Sequence, residues 1–326
     1  MSFNDIPKIE DPDFYIDLAF KRANDAAYES RMNSEGTRKN KSKTVETAKL
    51  SEIRNVIIKQ MELITKSYPS IDDLPEFYKE MIKAIVDLDE LKKALGAVKW
   101  VVGKTNEFTS RYESKIKKTF ELQEINKCRR EYYGRLSSLL KQIKKELALL
   151  EKARKGMREF PQIKTKIFTV AIIGFPNVGK TTLMSQLTES KPEIQNYAFT
   201  TVNINVGYMK TGHDKVQILD TPGTLNRFNK MNPIEKQSYL AVKYCADVLI
   251  YIFDVAESSY PITQQEELLD VIKDFDKPTL YYLSKTSMKT DKELVERITK
   301  KYKPLTLEGI KKEIIKRKPK RLDMDQ

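Results

Sequence analysis

Apolar residues recur every three or four positions through the first half of the chain. Between 120 and 158 the positions Leu122, Ile125, Leu136, Leu139, Leu140, Ile143, Leu147 and Leu150 keep that spacing. Arg129, Arg130, Lys141, Lys144, Lys145, Lys152 and Lys155 fill much of the remainder, which is the pattern of amphipathic helix. Weaker versions run through 12–33, 44–67, 73–85 and 87–118, and SYPSIDDLP at 67–75 punctuates two of them. The polar stretch NSEGTRKNKSK at 33–43 is expected to be a mobile loop between the first two long helices. Across GMREFPQIKTK at 156–166 the texture changes. Short apolar or β-branched runs follow, namely FTVAII, VNINVGYM, KVQILD, DVLIYIFD and TLYYLS, and these read as strands. Helical stretches near 180–189, 233–246, 262–275 and 291–302 separate most of them. The short TGHD turn joining VNINVGYM to KVQILD predicts one antiparallel pair, and the rest predicts a parallel sheet. The expected architecture is an all-α helical bundle domain over 1–160, followed over 161–326 by an α/β domain with a mostly parallel sheet and a basic C-terminal end.

Charge adds one feature to this picture. The chain has 326 residues and a net charge of +13. Residues 1–100 carry 17 Lys and Arg against 18 Asp and Glu, residues 101–166 carry 18 against 8, and residues 167–326 carry 24 against 20. The excess therefore sits mainly in one helical segment. Two readings stand for it: solvated helix faces, or a polyanion partner, since clustered cations release counterions from phosphate backbones. Cys128 and Cys245 show no spacing motif and His213, in the TGHD turn, is the single histidine, so a zinc site or disulfide framework is not expected. The start, MSFNDIPKIEDPD, has no signal-peptide pattern, and the longest apolar run, VLIYIF at 248–253, is far too short to span a bilayer. A cytoplasmic location without membrane contact is expected.

The chemistry concentrates after residue 173. Gly174-Phe-Pro-Asn-Val-Gly179-Lys180-Thr181 fits G-x-x-x-x-G-K-[ST], follows the strand FTVAII and opens the helix KTTLMSQLT. Glycines let backbone N–H groups turn onto phosphate oxygens, and the helix N-terminus adds positive potential. The expected phosphate-binding set is Gly174, Asn177, Val178, Gly179, Lys180, Thr181 and Thr182, with Lys180 on the outer phosphates and the Thr181 hydroxyl on magnesium. Asp220-Thr-Pro-Gly223 ends the strand KVQILD. Asp220 is placed to hold the magnesium shell and Gly223 to offer an N–H to the γ-phosphate. Thr201, in YAFTT at 197–201, is expected to close over the magnesium when that phosphate is present.

GFPNVGKTTL, NYAFTTVNINVGYM and LDTPGTL together resemble the Obg-related branch of translation-factor GTPases. DFYIDLAFKRA near the start and DELKKALGAVKWV at 89–101 are similar to the helical domain of the nucleolar GTP-binding protein 1 family, in its short archaeal form without the long basic extension of the eukaryotic proteins. The resemblance implies a monomeric P-loop GTPase that binds GTP and GDP with magnesium. It also implies a role in large-ribosomal-subunit assembly, with the helical domain lying on rRNA.

Two departures from the family pattern matter. Thr224 follows DTPG where many GTPases place a water-orienting Gln, and no catalytic residue can be named nearby, so hydrolysis is expected to be slow. For Asn177, related GTPases with Asn at this place hold a potassium ion against the phosphates. A purely loop-shaping Asn177 is the other reading, and both stand. The second departure is larger. KPTLYYLSKTS aligns with a pattern ending in Asn-Lys-x-Asp, but the Asn is Ser284 and the Asp is Ser287, while Lys285 survives. Ser284, Lys285 and Ser287 thus form a degenerate base-binding set. A shifted reading, Met288-Lys-Thr-Asp291, falls four residues past the strand, and TDKE at 290–293 is better explained as a helix cap. Lys303-Pro304 stands where a Ser-Ala pair is usual. Two functions follow: a GTP-binding assembly factor with weak magnesium-dependent turnover, or a turnover-deficient rRNA-binding scaffold with relaxed base choice.

Overall fold

A computed structural model describes residues 3–188, 193–195, 204–212, 214–221, 233–288 and 290–319. The chain divides into two compact units: Ser2–Leu74 with Ile82–Arg158, and Pro75–Met81 with Glu159–Gln326.

The first unit is helical. Its elements are α1 (Pro12–Met32), α2 (Arg38–Ser67), α4 (Leu88–Lys118), α5 (Leu122–Gln142) and α6 (Lys144–Met157), while α3 (Glu76–Lys83) spans the point where the chain passes between units. Local chemistry starts these helices. Asp11 caps α1 by accepting from Phe14 N at 2.9 Å, and Asp87 caps α4 by accepting from Asp89 N and Glu90 N, both at 2.9 Å. The apolar stripes then meet: Leu50, Ile53, Ile57 and Met61 of α2 are buried, as are Leu91, Val98 and Ile116 of α4 and Ile125, Tyr132 and Leu136 of α5. Buried hydroxyls have partners, as burial requires: Tyr68 donates to Leu150 O at 2.6 Å, and Tyr132 Oη lies 2.9 Å from Thr109 Oγ1.

Two local expectations change. The stretch 33–43 is not all loop, because α2 begins at Arg38. Thr37 caps it, accepting from Asn40 N at 3.3 Å. The first turns, RKNKSK, have no apolar stripe to betray a helix, yet Lys and Arg are good helix formers. The 120–158 run is also two helices, parted at Ile143 (φ −95°, ψ 20°), whose N–H turns onto Leu140 O and Lys141 O. Ile143 keeps the apolar spacing and is itself buried, so the periodicity hides the break.

The second unit carries a six-stranded sheet in the order β2-β3-β4-β1-β5-β6. The strands are β1 (Thr169–Ile173), β2 (Glu193–Gln195), β3 (Ile204–Thr211), β4 (Asp214–Asp220), β5 (Val248–Asp254) and β6 (Thr279–Ser284). β1 pairs in parallel with β4 and β5, and β5 with β6, while β3 is antiparallel to both β4 and β2. The antiparallel pair is the one its short turn predicts, with Thr211 opposite Asp214; His213, in that turn, lies outside the described residues. Every residue of β1 and β5 is buried, as central parallel strands should be. The helices are α7 (Lys180–Leu187), α8 (Pro233–Cys245), α9 (Ile262–Lys273), α10 (Lys292–Tyr302) and α11 (Leu307–Arg317). β2 and α11 were not foreseen. β2 has three residues, too few for a pattern, and α11 buries only Ile310 and Ile314 among its charges.

The segment Pro75–Met81 joins this unit through aromatic packing. Phe77 and Tyr78 are buried, and the Tyr78 hydroxyl lies 3.1 Å from Pro161 O and 3.0 Å from Ile163 O, able to donate to either. That places a hydrogen-bonded aromatic under the chain where it enters β1.

Candidate functional site

Four parallel strands, β4, β1, β5 and β6, end on the same edge, which is where open α/β sheets place their ligands. Asp220, the last residue of β4, pairs with Ile172 one residue before the end of β1, and Asp254 and Ser284, the last residues of β5 and β6, pair with each other.

The loop after β1 has a backbone that few residues could follow. Gly174 has φ +156°, and a Cβ there would lie 2.9 Å from Val178 Cγ2 and 3.1 Å from Ile252 O. Gly179, at φ +97°, is the N-cap of α7, and Asn177 adopts the left-handed region at φ +63°. Val178 is buried beneath the turn. Lys180 opens α7 and is also buried; its ammonium donates to Phe175 O at 2.7 Å, bracing the loop it serves. Burial holds the Lys180 pKa below the usual lysine value, with Asp220 pulling the other way. An incoming polyphosphate would supply the charge this ammonium lacks.

Next to it, Thr181 Oγ1 donates to Asp220 Oδ2 at 2.7 Å, and Asn205 Nδ2 donates to the same oxygen at 2.9 Å. The loop after β1 and the end of β4 are thereby joined through two hard oxygen donors. Thr182 follows on the exposed side of α7. Thr201, Gly223 and Thr224 lie outside the described residues.

The β5–β6 end is built around Asp254, a residue the sequence reading passed over. Its Oδ2 accepts from Lys285 Nζ at 2.9 Å and from the Ser258 hydroxyl at 2.7 Å, and its Oδ1 from Ala256 N at 3.1 Å. Lys285 Nζ also contacts Ser258 Oγ. Burial would push the Asp254 carboxyl up, but Lys285 and Ser258 outweigh it and hold it below the usual carboxylate range. Gln265 of α9 fixes this turn: its Oε1 accepts from Asp254 N at 2.9 Å and its Nε2 donates to Tyr260 O at 2.9 Å. Tyr260 in turn packs on Phe175 with ring centroids 4.3 Å apart, coupling the turn to the phosphate loop. The available signal was an Asp closing the run DVLIYIFD, the same position in its strand that Asp220 holds in KVQILD.

The three residues of the degenerate set stand as follows. Ser284 lies beside the loop, since a Cβ on Gly179 would be 3.7 Å from Ser284 Cβ, but its hydroxyl donates to Phe253 O at 3.2 Å. Lys285 has φ +58° and its ammonium is occupied as described. Ser287 is exposed in the turn that follows. Asp291 is the N-cap of α10, accepting from Glu293 N at 2.9 Å, so the cap is one residue later than Thr290. Lys303 ends α10 in the left-handed region, and Leu305 N donates to Tyr281 O at 2.8 Å, laying the 303–306 turn along β6.

Comparison with known proteins gives two family matches: the NOG1 N-terminal helical domain over residues 3–164, and the 50S ribosome-binding GTPase over residues 169–285. An uncharacterized protein of Methanocaldococcus jannaschii is 36% identical over 297 residues, 90% of this chain and 83% of that one. The probable nucleolar GTP-binding protein 1 of Dictyostelium discoideum is 30% identical over 72% of this chain and 35% of its own length. The nucleolar GTP-binding protein 1 of Saccharomyces cerevisiae is 28% identical over 73% and 38%. The chain thus spans most of the archaeal relative and little more than a third of the eukaryotic ones. With a helical NOG1 domain leading into a P-loop GTPase domain along most of the length of its archaeal relative, the chain belongs to the family of nucleolar GTP-binding protein 1.

Proposed function

We propose that this chain is a GTP-binding switch protein with slow magnesium-dependent hydrolysis that acts, as a monomer in the cytoplasm, on the precursor of the large ribosomal subunit. The observation that carries the proposal is the 2.7 Å bond from Thr181 to Asp220 beside the buried Lys180. It joins two oxygen donors, next to a phosphate cradle, where a nucleotide-bound magnesium ion would sit, and their chemistry suits a hard cation. That ion, when bound, neutralises charge on the β- and γ-phosphates. Lys180 holds the outer phosphates, and the α7 N-terminus and the N–H groups of the loop hold the rest. Asn177, in its left-handed conformation, either shapes that loop or directs its amide oxygen at a potassium ion; both roles remain within the proposal.

The ribosomal part rests on the family. Matching descriptions speak of a 50S ribosome-binding GTPase, and relatives bear the name nucleolar GTP-binding protein. The charge pattern is compatible. Arg129, Lys141 and Arg154 pair with Glu46, Asp13 and Glu151, but Arg130, Lys144, Lys145 and Lys152 make no ion pair among the described residues. No helix among the described residues is long and apolar enough to cross a membrane.

A second reading, a turnover-deficient rRNA-binding scaffold with relaxed base choice, is favoured by one observation: Lys285 and Ser284 spend their polar atoms inside the protein. Sedimentation separates the two. The full chain is mixed with large subunits and their precursors from an archaeal extract, with a non-hydrolysable GTP analogue or with GDP. Retention with the analogue and several-fold less with GDP is the expected result. Equal retention favours the scaffold, and no retention with either overturns the ribosomal role.

A further inference from the structure

We propose that one end of the helical unit, where the start of α2 meets the end of α4, is a docking surface for unpaired RNA, with Phe120 as its stacking platform. This rests on the ribosomal reading above and gives it a location. Arg38, Lys39, Lys41 and Lys43 occupy the first turns of α2, with no acid between Glu35 and Glu46. Lys115, Lys117 and Lys118 end α4, with no acid between Glu113 and Glu121. The fold brings the two groups together. Lys43 Nζ donates to Lys117 O at 2.7 Å, and the ammonium groups of Lys39 and Lys43 lie 4.6 Å and 5.5 Å from the centre of the Phe120 ring. None of the seven cations makes an ion pair among the described residues, and Phe120 is 79% exposed.

Intramolecular electrostatics explains only half of this cluster. The α4 lysines sit at the negative end of their helix, which favours them. Arg38, Lys39 and Lys41 sit at the positive end of α2, where no acid offsets them, and there the helix opposes each charge. A large aromatic ring left 79% exposed is a second feature, which folding rewards only weakly, through the Lys39 and Lys43 ammonium groups beside it. Both suit one class of partner. Phosphates answer the cations, and an unstacked base answers the ring. A-form duplex does not offer that base, because its bases are stacked and its major groove is too narrow for side chains to read; loops and single strands do. An acidic protein would satisfy the charges and leave the ring unexplained.

The test uses the full chain and fluorescence anisotropy with a labelled single-stranded RNA oligonucleotide, its duplex, and heparin as a polyanion without bases. Phe120→Ala should weaken single-strand binding about five- to a hundredfold, leave the salt slope unchanged and spare heparin, while Phe120→Trp should retain binding. Combined Arg38→Gln, Lys39→Gln and Lys41→Gln should reduce the slope of log affinity against log salt by about 2. Relief of three charges that oppose the α2 dipole offsets the lost Lys39–Phe120 contact, so that variant should melt no lower than the wild type, which keeps misfolding from mimicking the result. If the triple variant lowers RNA and heparin binding alike and Phe120→Ala changes neither, the stacking platform is refuted. If the wild type binds RNA and both variants bind as well as it does, the surface lies elsewhere and the sedimentation result above is untouched.

Discussion

Lys180→Ala is expected to abolish detectable binding of nucleoside triphosphates while the protein stays folded. The lysine is buried, its pKa is held down by burial, and its ammonium already braces the loop by donating to Phe175 O. A bound triphosphate offers that ammonium at least two charged oxygens. Charge-assisted bonds contribute roughly 1.5–3 kcal/mol each, so their loss costs about 3–6 kcal/mol, on the order of a hundred- to ten-thousandfold in affinity. The fold should survive because α7 is anchored through Leu183, Met184 and Leu187, all buried, and alanine is the best helix former. Titration calorimetry with GTP reads the affinity, and thermal melting checks the fold. A folded variant with wild-type affinity would remove the phosphate site assigned to this loop.

The second large effect concerns the base. Whether it is a switch or a scaffold, the wild type should bind GTP and GDP with little preference over ATP and ADP. In the family pattern the missing Asp accepts two hydrogen bonds from guanine, and their loss weakens guanine binding by about 3–5 kcal/mol, on the order of a hundred- to a few-thousandfold. The surroundings offer little replacement. Ser287 is an exposed hydroxyl, Ser284 is bonded to Phe253 O, and Lys285 is bound by Asp254 and Ser258. Asp291 could reach a base only by giving up the cap of α10, which costs about 1 kcal/mol. Combined Ser287→Asp and Ser284→Asn should therefore tighten GTP and leave ATP nearly unchanged. A wild-type preference for GTP of several thousandfold would contradict this, and would direct attention to the backbone of the 303–306 turn beside β6.

Much of the fold was legible in the sequence, for identifiable reasons. The phosphate loop announces itself because its glycines are forced: Gly174 has no room for a Cβ and Gly179 must turn left-handed into α7. β1 and β5 read as strands because they are buried on both faces and so are uninterrupted runs of apolar residues. What failed to show was held by long-range polar bonds or by charge. The first turns of α2 look like loop because they bury nothing, and the Thr37 cap, the bond from Lys43 to Lys117 O and the Phe120 contact reveal how they are held. Asp254 and Gln265 lie 11 residues apart and meet only through the fold, so no spacing rule marks them as a pair. Lys285 reads from its motif only as a member of the base-binding set, and the partner that holds its ammonium, Asp254, is 31 positions away.

The central claim, a magnesium-dependent nucleotide switch, is tested most directly by single-turnover hydrolysis. The protein is loaded with radiolabelled GTP, and phosphate release is followed with and without magnesium, in potassium and in sodium. Release is expected only with magnesium, on the order of 10⁻⁴–10⁻² s⁻¹ without an activator. The rate should be faster in potassium if Asn177 holds that ion, with the difference lost in Asn177→Asp. Equal rates in the two salts would leave Asn177 its loop-shaping role alone. Tight GTP binding with no phosphate release under any cation would contradict the switch and leave the scaffold reading in its place.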